Sequence, residues 1–377
     1  MKSFKKRVMN FFLSKSNQFN YYKNNVQQLE KEKIKLSSEI NGLIEEYEKL
    51  QSKTIEMEDI LSKSSKNKIL SKLKNKEYEK LTLAIKSPNP IVQKNWGDYF
   101  FALSLKKYFE RKGFNVLVHE RENWYCDEED VDITIVLRGY AIEYLPNKNH
   151  LNVMWNLYNP NIISDEEFEK YDYIFVASNS CADKIKNKIN KPVKPLLQCT
   201  DPELFFPESK IEYEEEILFV GNTRGYFREI VKDVLNTEFD VSIYGAEWEN
   251  YIDNKFIKGE FIPNEELHKY YSSCKILLND HLQSMKNYDY LSNRLFDALA
   301  CETLIISDKV PSINIFDGAV ITYDDADDLN EKIKYYLKNE DERKIKVRQG
   351  RKIVLENHTF LKRVDFILNC LKKIEID

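Results

Sequence analysis

The sequence predicts an α/β protein made of two doubly wound domains, each a parallel sheet covered on both faces, behind an N-terminal coiled-coil helix. Three observations carry this. Residues 22–61 hold a heptad pattern. From Leu81 onward, short apolar runs alternate with amphipathic helical stretches, the signature of parallel strands joined by crossover helices. The alternation then restarts after a segment rich in Pro and Asp, residues 191–209, which reads as a crossing between domains.

Residues 1–15, MKSFKKRVMNFFLSK, are basic and hold three Phe. Their apolar run, Phe11 to Leu13, is too short for the core of a signal peptide. They read either as a helix attracted to an anionic membrane surface or as a plain lead-in to the next segment. In the heptads that follow, one set of seam positions is Tyr22, Leu29, Leu36, Leu43, Leu50 and Met57. The other is Val26, Lys33, Ile40, Tyr47, Thr54 and Leu61, so only Lys33 and Thr54 break the apolar seam. A helix this polar elsewhere needs a partner to cover that seam. Self-association is favoured over folding back on the chain's own globular part.

Composition sets further bounds. At 377 residues, with 42% hydrophobic and 32% charged, the chain can hold two ordinary cores and remain polar outside. A net charge of −5 argues against a nucleic-acid partner. The six cysteines form no CxxC pair and the five histidines lie at no metal-ligand spacing, so a disulfide frame and a zinc site are not expected. No run is long and apolar enough to cross a membrane as a helix. The expected location is cytoplasmic, with contact at the inner face of the membrane if the lead-in binds lipid.

In the first domain the expected strands are Leu81 to Ile85, Asn115 to His119, Asp132 to Leu137, Leu151 to Leu157 and Tyr173 to Ala177. A helix runs from Asp98 to Lys112 and ends at Gly113, with others near 165–170 and 181–189. In the second domain the strands are Ile217 to Val220, Val241 to Tyr244, Ile276 to Leu278, Leu304 to Ile306 and Ala319 to Thr322. Helices lie near 227–235, 264–273 and 292–301, and residues 327–373 are nearly all helix.

The chemistry gathers at strand ends, where an open α/β sheet forms its ligand crevice. One such end is ILFVGNTRGYFREI, residues 217–230, where Gly221 and Gly225 allow a tight turn and Arg224 and Arg228 are phosphate candidates. It fits neither the dinucleotide nor the Walker pattern. The others are YGAEWE (244–249), LLNDH (277–281) and SNRLFDALA (292–300). Ser292 and Asn293 open a helix and Arg294 stands beside it, so backbone N–H groups and a guanidinium converge on an anion site. On the facing wall, Asp98 follows Gly97 at the start of a helix, as either a general base or an N-cap. Arg138 ends a strand beside Gly139 and is a pocket candidate, and His281 leans to the site. Asp130-Val131-Asp132 spells DxD but precedes its strand, so it reads as a solvated strand entry and not a metal site.

FVGN (219–222), IYGAEW (243–248), LNDH (278–281) and SNRLFDALAC (292–301) leading to ISD (306–308) resemble the C-terminal domain of bacterial glycosyltransferases of the GT-B fold. The type is the "glycosyl transferases group 1" of spore-maturation, CgeB-like proteins. WGDYFFALSL (96–105), VLRG (136–139), YDYIFVAS (171–178) and LLQCTDPELFFP (196–207) extend the likeness through the first half, so it covers nearly everything from Leu81 onward.

The resemblance implies two Rossmann-like domains facing across a cleft, with organisation 1–79 (lead-in and coiled coil), 80–208 (acceptor domain), 209–355 (nucleotide-sugar domain) and 356–377 (a helix crossing back to the first domain). It implies sugar transfer from a UDP-, GDP- or dTDP-linked donor to a surface-glycan or glycoprotein acceptor, with no metal and no cofactor beyond the donor. By similarity, Asn293 and Arg294 face the diphosphate and Asp297 suits ribose hydroxyls. Gly221, Asn222, Thr223 and Arg224 line the diphosphate side, Tyr244 and Gly245 lie near the base, and Asn279, His281 and Ser292 complete the donor wall. Asp98 and Arg138 are the catalytic candidates.

The chain departs from the pattern at Glu302 and at Asp289–Tyr290, where Gly is usual, and at Asn159, where His is usual. The first two changes are expected to reshape the sugar pocket, and the third removes a candidate base. A scaffold carrying an inactive transferase-like domain, or a sugar-nucleotide epimerase of the same fold, are the other readings.

Overall fold

The computed structural model describes residues 1–92, 96–235 and 238–376. They form two units, 1–62 and 63–377, described here in turn. The first unit is helix throughout after Met1, the larger part of α1 (Lys2–Lys74), with no Pro to interrupt it. Its heptad seam is bare in the single chain: Val26, Leu29, Leu36, Leu43 and Leu50 are all exposed. The last turns of α1 lie in the second unit, where Ile69, Leu70 and Leu73 are buried in a core.

That core belongs to the first of two six-stranded sheets. Its strands are β1 (Thr82–Lys86), β2 (Asn115–His119), β3 (Ile133–Arg138), β4 (Leu151–Asn156), β5 (Tyr173–Val176) and β6 (Val193–Pro195), with helices α2 (Gly97–Glu110), α3 (Asp165–Phe168) and α4 (Asn179–Lys186) between them. The strand order is β2-β1-β3-β4-β5-β6, every pair parallel. β3 and β4 are buried at every position, as a sheet covered on both faces requires.

The second sheet holds β7 (Glu215–Val220), β8 (Val241–Tyr244), β9 (Ile257–Gly259), β10 (Cys274–Asn279), β11 (Ile305–Ser307) and β12 (Val320–Thr322). Around it lie α5 (Glu229–Leu235), α6 (Leu267–Ser273), α7 (Gln283–Tyr288), α8 (Asn293–Ala300), α9 (Ala326–Lys338) and α10 (Glu340–Asn357). Its order is β12-β11-β10-β7-β8-β9, again all parallel. The order reverses between β7 and β10, which is the switch point where a doubly wound sheet leaves a crevice. In the first sheet the reversal lies between β1 and β3.

The sequence pattern points to ten of these strands within a residue or two and misses β6 and β9. Both are three-residue edge strands, too short to show an alternation, and β6 ends on Pro195, which an edge tolerates.

The chain passes between the sheets twice, and the two passes are tied together. Thr200 N–H donates to His358 O at 3.0 Å and Phe360 N–H donates to Thr200 O at 3.1 Å. Arg363 adds bonds to the carbonyls of Leu197 at 2.7 Å and Gln198 at 3.0 Å. The final helix, α11 (Phe360–Leu371), packs into the first sheet's core, where Phe360 meets Phe101 edge-on at 4.7 Å. A second bridge runs through α7. Met285 and Tyr290, which belong to the second sheet's chain order, are buried in a cluster with Met154, Ile174 and Val176 of the first.

Candidate active site

At the switch point of the second sheet, three arginines gather over the ends of β7 and β10. Arg294, in the first turn of α8, spans the gap. Its Nη1 donates to Asn279 Oδ1 at 2.8 Å, at the end of β10, and its Nη2 donates to Val220 O at 2.5 Å, at the end of β7. Arg228 is held by a bidentate pairing with Asp280 and by a bond from Nη1 to Asn222 O at 3.0 Å. Both guanidinium groups lie over the Phe219 ring, at 5.1 Å for Arg228 and 5.6 Å for Arg294. Arg224 stands in the loop after β7 with a left-handed backbone, φ 62°. Loss of solvent, and then the charges of Arg228 and Arg294, hold Arg224 below the ordinary arginine value. Burial does the same to Arg294.

The decisive difference among the three is in their partners. Arg228 is neutralised by Asp280. Arg294 bonds only to neutral oxygens, and neither it nor Arg224 has a carboxylate partner among the described residues. Positive charge is thus left over where backbone N–H groups also converge.

The loops beneath are close-packed. Gly221 N–H donates to Tyr244 O at 2.7 Å and Gly245 N–H to Gly259 O at 2.9 Å. A Cβ on Gly245 would lie 2.1 Å from Gly221 O, and one on Gly221 would lie 3.0 Å from Arg294 Nη2. Glycine is therefore required where the two βα loops touch. Asn222 Oδ1 accepts from Ala246 N at 2.9 Å, and buried Thr223 donates to Glu247 at 3.1 Å, so these two brace the loop. Tyr244 stands edge-on to Tyr270 at 5.2 Å, with its hydroxyl 3.4 Å from Glu215.

His281 follows β10 and is fully buried. Its Nδ1 sits 2.5 Å from Asp308 Oδ1, and Asp308 also takes Lys286 at 2.8 Å. Burial pushes the Asp308 carboxyl up, but His281 and Lys286 outweigh it and hold the group below its usual value. His281 Nε2 has no partner, and neither has Asn293 Oδ1.

Two of the expected site residues are engaged within the protein. Asp297, expected on ribose, has both oxygens occupied: Thr200 donates at 2.7 Å and Asn293 Nδ2 at 2.7 Å. Burial, opposed by those two bonds, pushes it up to about 8. Its carboxyl joins α8 to the crossing segment. Arg138, a catalytic candidate, is buried and paired with Glu167 through Nε at 2.6 Å and Nη2 at 2.9 Å, while Nη1 donates to Tyr140 O. It fastens the first domain internally. Ser292 caps α8 by backbone position, with no bond from its side chain.

Asp98 lies in the first turn of α2, but Trp96 holds the cap position, so capping does not account for it. Its Oδ2 accepts from Tyr158 Oη at 2.9 Å. Loss of solvent pushes its carboxyl up to about 6, against the opposing bond from Tyr158 and the charge of Arg224. Arg224 thus acts across the cleft on the first domain's candidate base. Tyr158, which no sequence signal marks, is set by Gly139, where a Cβ would sit 2.6 Å from its ring. Asn159, where the resemblance leads one to expect His, donates to Gly139 O at 3.2 Å and accepts from Ser284 Oγ at 2.5 Å from the other domain. Asp132 of the DxD run accepts from Thr82 N at 2.9 Å, which fixes the entry to β1. No group of three metal-ligand side chains occurs among the described residues.

Residues 224–369 match the family model described as glycosyl transferase-like. A curated relative, the spore protein CgeB of Bacillus subtilis (strain 168), is 26% identical over 148 residues, 35% of this chain and 46% of that protein. The match therefore spans about half of the relative's length. Among solved structures, an α-glucosyltransferase in complex with UDP-glucose and DNA containing an abasic site superposes with TM-score 0.56 at 12% identity, covering 78% of this chain and 99% of that one. A DNA-modifying β-glucosyltransferase superposes at 0.51 with 14% identity, covering 78% and 100%. The N-terminal domain of the Candida albicans trehalose-6-phosphate phosphatase superposes at 0.51 with 13% identity, covering 78% and 97%. Residues 224–369 are thus similar in sequence to glycosyl transferase-like proteins, CgeB among them, and the two parallel sheets have the GT-B fold.

Proposed function

We propose that this chain transfers a sugar, without a metal, from a nucleotide-linked donor to a surface-glycan or glycoprotein acceptor. The observation that carries the reading is the uncompensated pair Arg224 and Arg294 at the switch point between β7 and β10. A nucleoside diphosphate of the UDP, GDP or dTDP class supplies the missing negative charge. Gly221 and Gly245 let the two βα loops pack together beneath Arg294, which supports the placing of its guanidinium for the diphosphate. As the bond from the anomeric carbon to the phosphate oxygen breaks, the electron pair leaves with the diphosphate, and the arginines stabilise it in place of a metal. The acceptor hydroxyl bonds to that carbon and its proton goes to Asp98, which Tyr158 orients. The UDP-glucose bound by the neighbours supports the donor class. Their DNA does not transfer so readily, because this chain carries a net charge of −5. The bare heptad seam supports a homo-oligomer through residues 22–61.

Nucleotide binding tests the site. Removing a charge-assisted bond costs about 1.5–3 kcal/mol, so Arg294→Ala should weaken UDP, GDP or dTDP binding by roughly 10- to 100-fold in calorimetry. Arg294→Lys, which keeps the charge, should recover part of it. Unchanged affinity in both would remove the assignment. Transfer from labelled nucleotide sugars, with chelator present and with glycan or duplex DNA offered as acceptor, tests the reaction itself.

A further inference from the structure

Residues 1–20 carry a second feature that sugar transfer does not use. The whole segment after Met1 is helical and exposed, with Phe4, Met9, Phe11 and Phe12 at 74%, 65%, 58% and 67% of full exposure. With Val8 and Phe19 they make an apolar face far wider than a heptad seam. Lys2, Lys6 and Arg7 lie beside it, Lys5, Lys15 and Lys23 lie among its apolar residues, and no acidic residue occurs before Glu30.

Two partners fit an apolar helix face, and the charges separate them. Run backward, the register of the coiled coil puts Val8, Phe12 and Phe19 on the seam, but also Lys5 and Lys15. In a parallel pair each of those lysines would face its own copy inside the seam, with no carboxylate within reach in sequence. From Glu30 onward the helix carries acids and bases together and suits a second copy; before it, the helix suits an anionic plane. Aromatic side chains beside unpaired cations fit the boundary of a bilayer, where rings enter the acyl region and lysine stems reach the headgroups. We infer that residues 1–20 form an amphipathic helix that lies on an anionic lipid surface, while the seam beyond Tyr22 is kept for self-association.

Such an arrangement multiplies binding. Each Lys or Arg strengthens attraction to an anionic surface, and a coiled coil presents two or more copies together. The full chain should co-sediment with vesicles of phosphatidylcholine containing phosphatidylglycerol, and not with phosphatidylcholine alone, and high salt should release it. Lys5→Glu with Lys6→Glu, and separately Phe4→Ser with Phe12→Ser, should each lower partitioning about tenfold or more. Helix content by circular dichroism and oligomer mass by sedimentation should stay unchanged. Equal binding to neutral and anionic vesicles, or none to either, overturns the inference. So does loss of oligomer mass in the Phe variant, which would assign the face to a second copy. Duplex DNA binding that the Phe variant retains while vesicle binding is absent would assign the cations to a polyanion instead.

Discussion

Asp98 holds its proton up to about pH 6 because loss of solvent outweighs the Tyr158 hydroxyl and the charge of Arg224. As a base it works only after losing that proton, so kcat/KM should rise with pH through about 6. Asp98→Asn should remove that limb and cut the rate by roughly 10²–10⁴, which a pH–rate profile would show. Asp297 makes the opposite kind of statement, about stability. It keeps its proton to about 8 in the folded chain against a reference of 3.8. Between those values the folded state binds more protons than the unfolded state, so stability falls as pH rises from about 4 to about 8. Asp297→Asn should flatten that slope in urea titrations over the same range. Asn293 can turn its unpartnered oxygen to the new amide. Sequence alone marks Asp297 as a polar residue one turn beyond Arg294. Its partner Thr200 lies far earlier in the chain, and no local spacing reveals a contact of that range.

Among elements, α8 shows what the sequence discloses and what it hides. Arg294 at a helix start beside a strand end is legible, because helix termini and switch points place anion sites by rule. The meaning of Glu302 is not. It follows α8 with φ 59°, and Thr303 N–H returns to Ala298 O at 3.1 Å, so the position is a left-handed helix stop. Glycine suits that backbone. The Glu302 side chain faces Arg351 at 3.9 Å. The left-handed penalty of about 1–2 kcal/mol exceeds glycine's entropic cost of about 0.5–1. An exposed pair of that length adds little. Glu302→Gly should therefore stabilise the chain by roughly 0.5 kcal/mol in chemical denaturation. Asp289 also takes a left-handed turn, φ 61°, but binds Ser312 through N and Oγ at 2.7 Å each and nears Ser180 of the first domain at 3.4 Å. α7, just before it, has six residues and no heptad or strand period to betray it.

Across the whole molecule, the two-sheet plan was readable because buried parallel strands are continuous apolar runs, and ten of them stand out. The joint between the sheets was not readable, since it depends on side chains that meet only after folding. Tyr290, from the second domain's chain, is buried in the first domain's cluster and donates its hydroxyl to Asn156 Oδ1. Ser178 Oγ donates to Tyr288 O at 2.8 Å beside it. Tyr290→Phe leaves a buried acceptor without its donor, a cost of about 1–3 kcal/mol. A lower denaturation midpoint of that size, with the ring's packing kept, is the expected result.

The pairing of Thr200 with Thr359 holds the two crossings of the chain side by side. Two strands of chain join the domains, and because they are bonded side by side they act as one hinge. Two separate tethers would let the domains slide and twist; one narrow hinge leaves a single rotation axis. A donor of the class proposed above would then enter by a swing about that axis, and the α7 contacts are what such a swing must release.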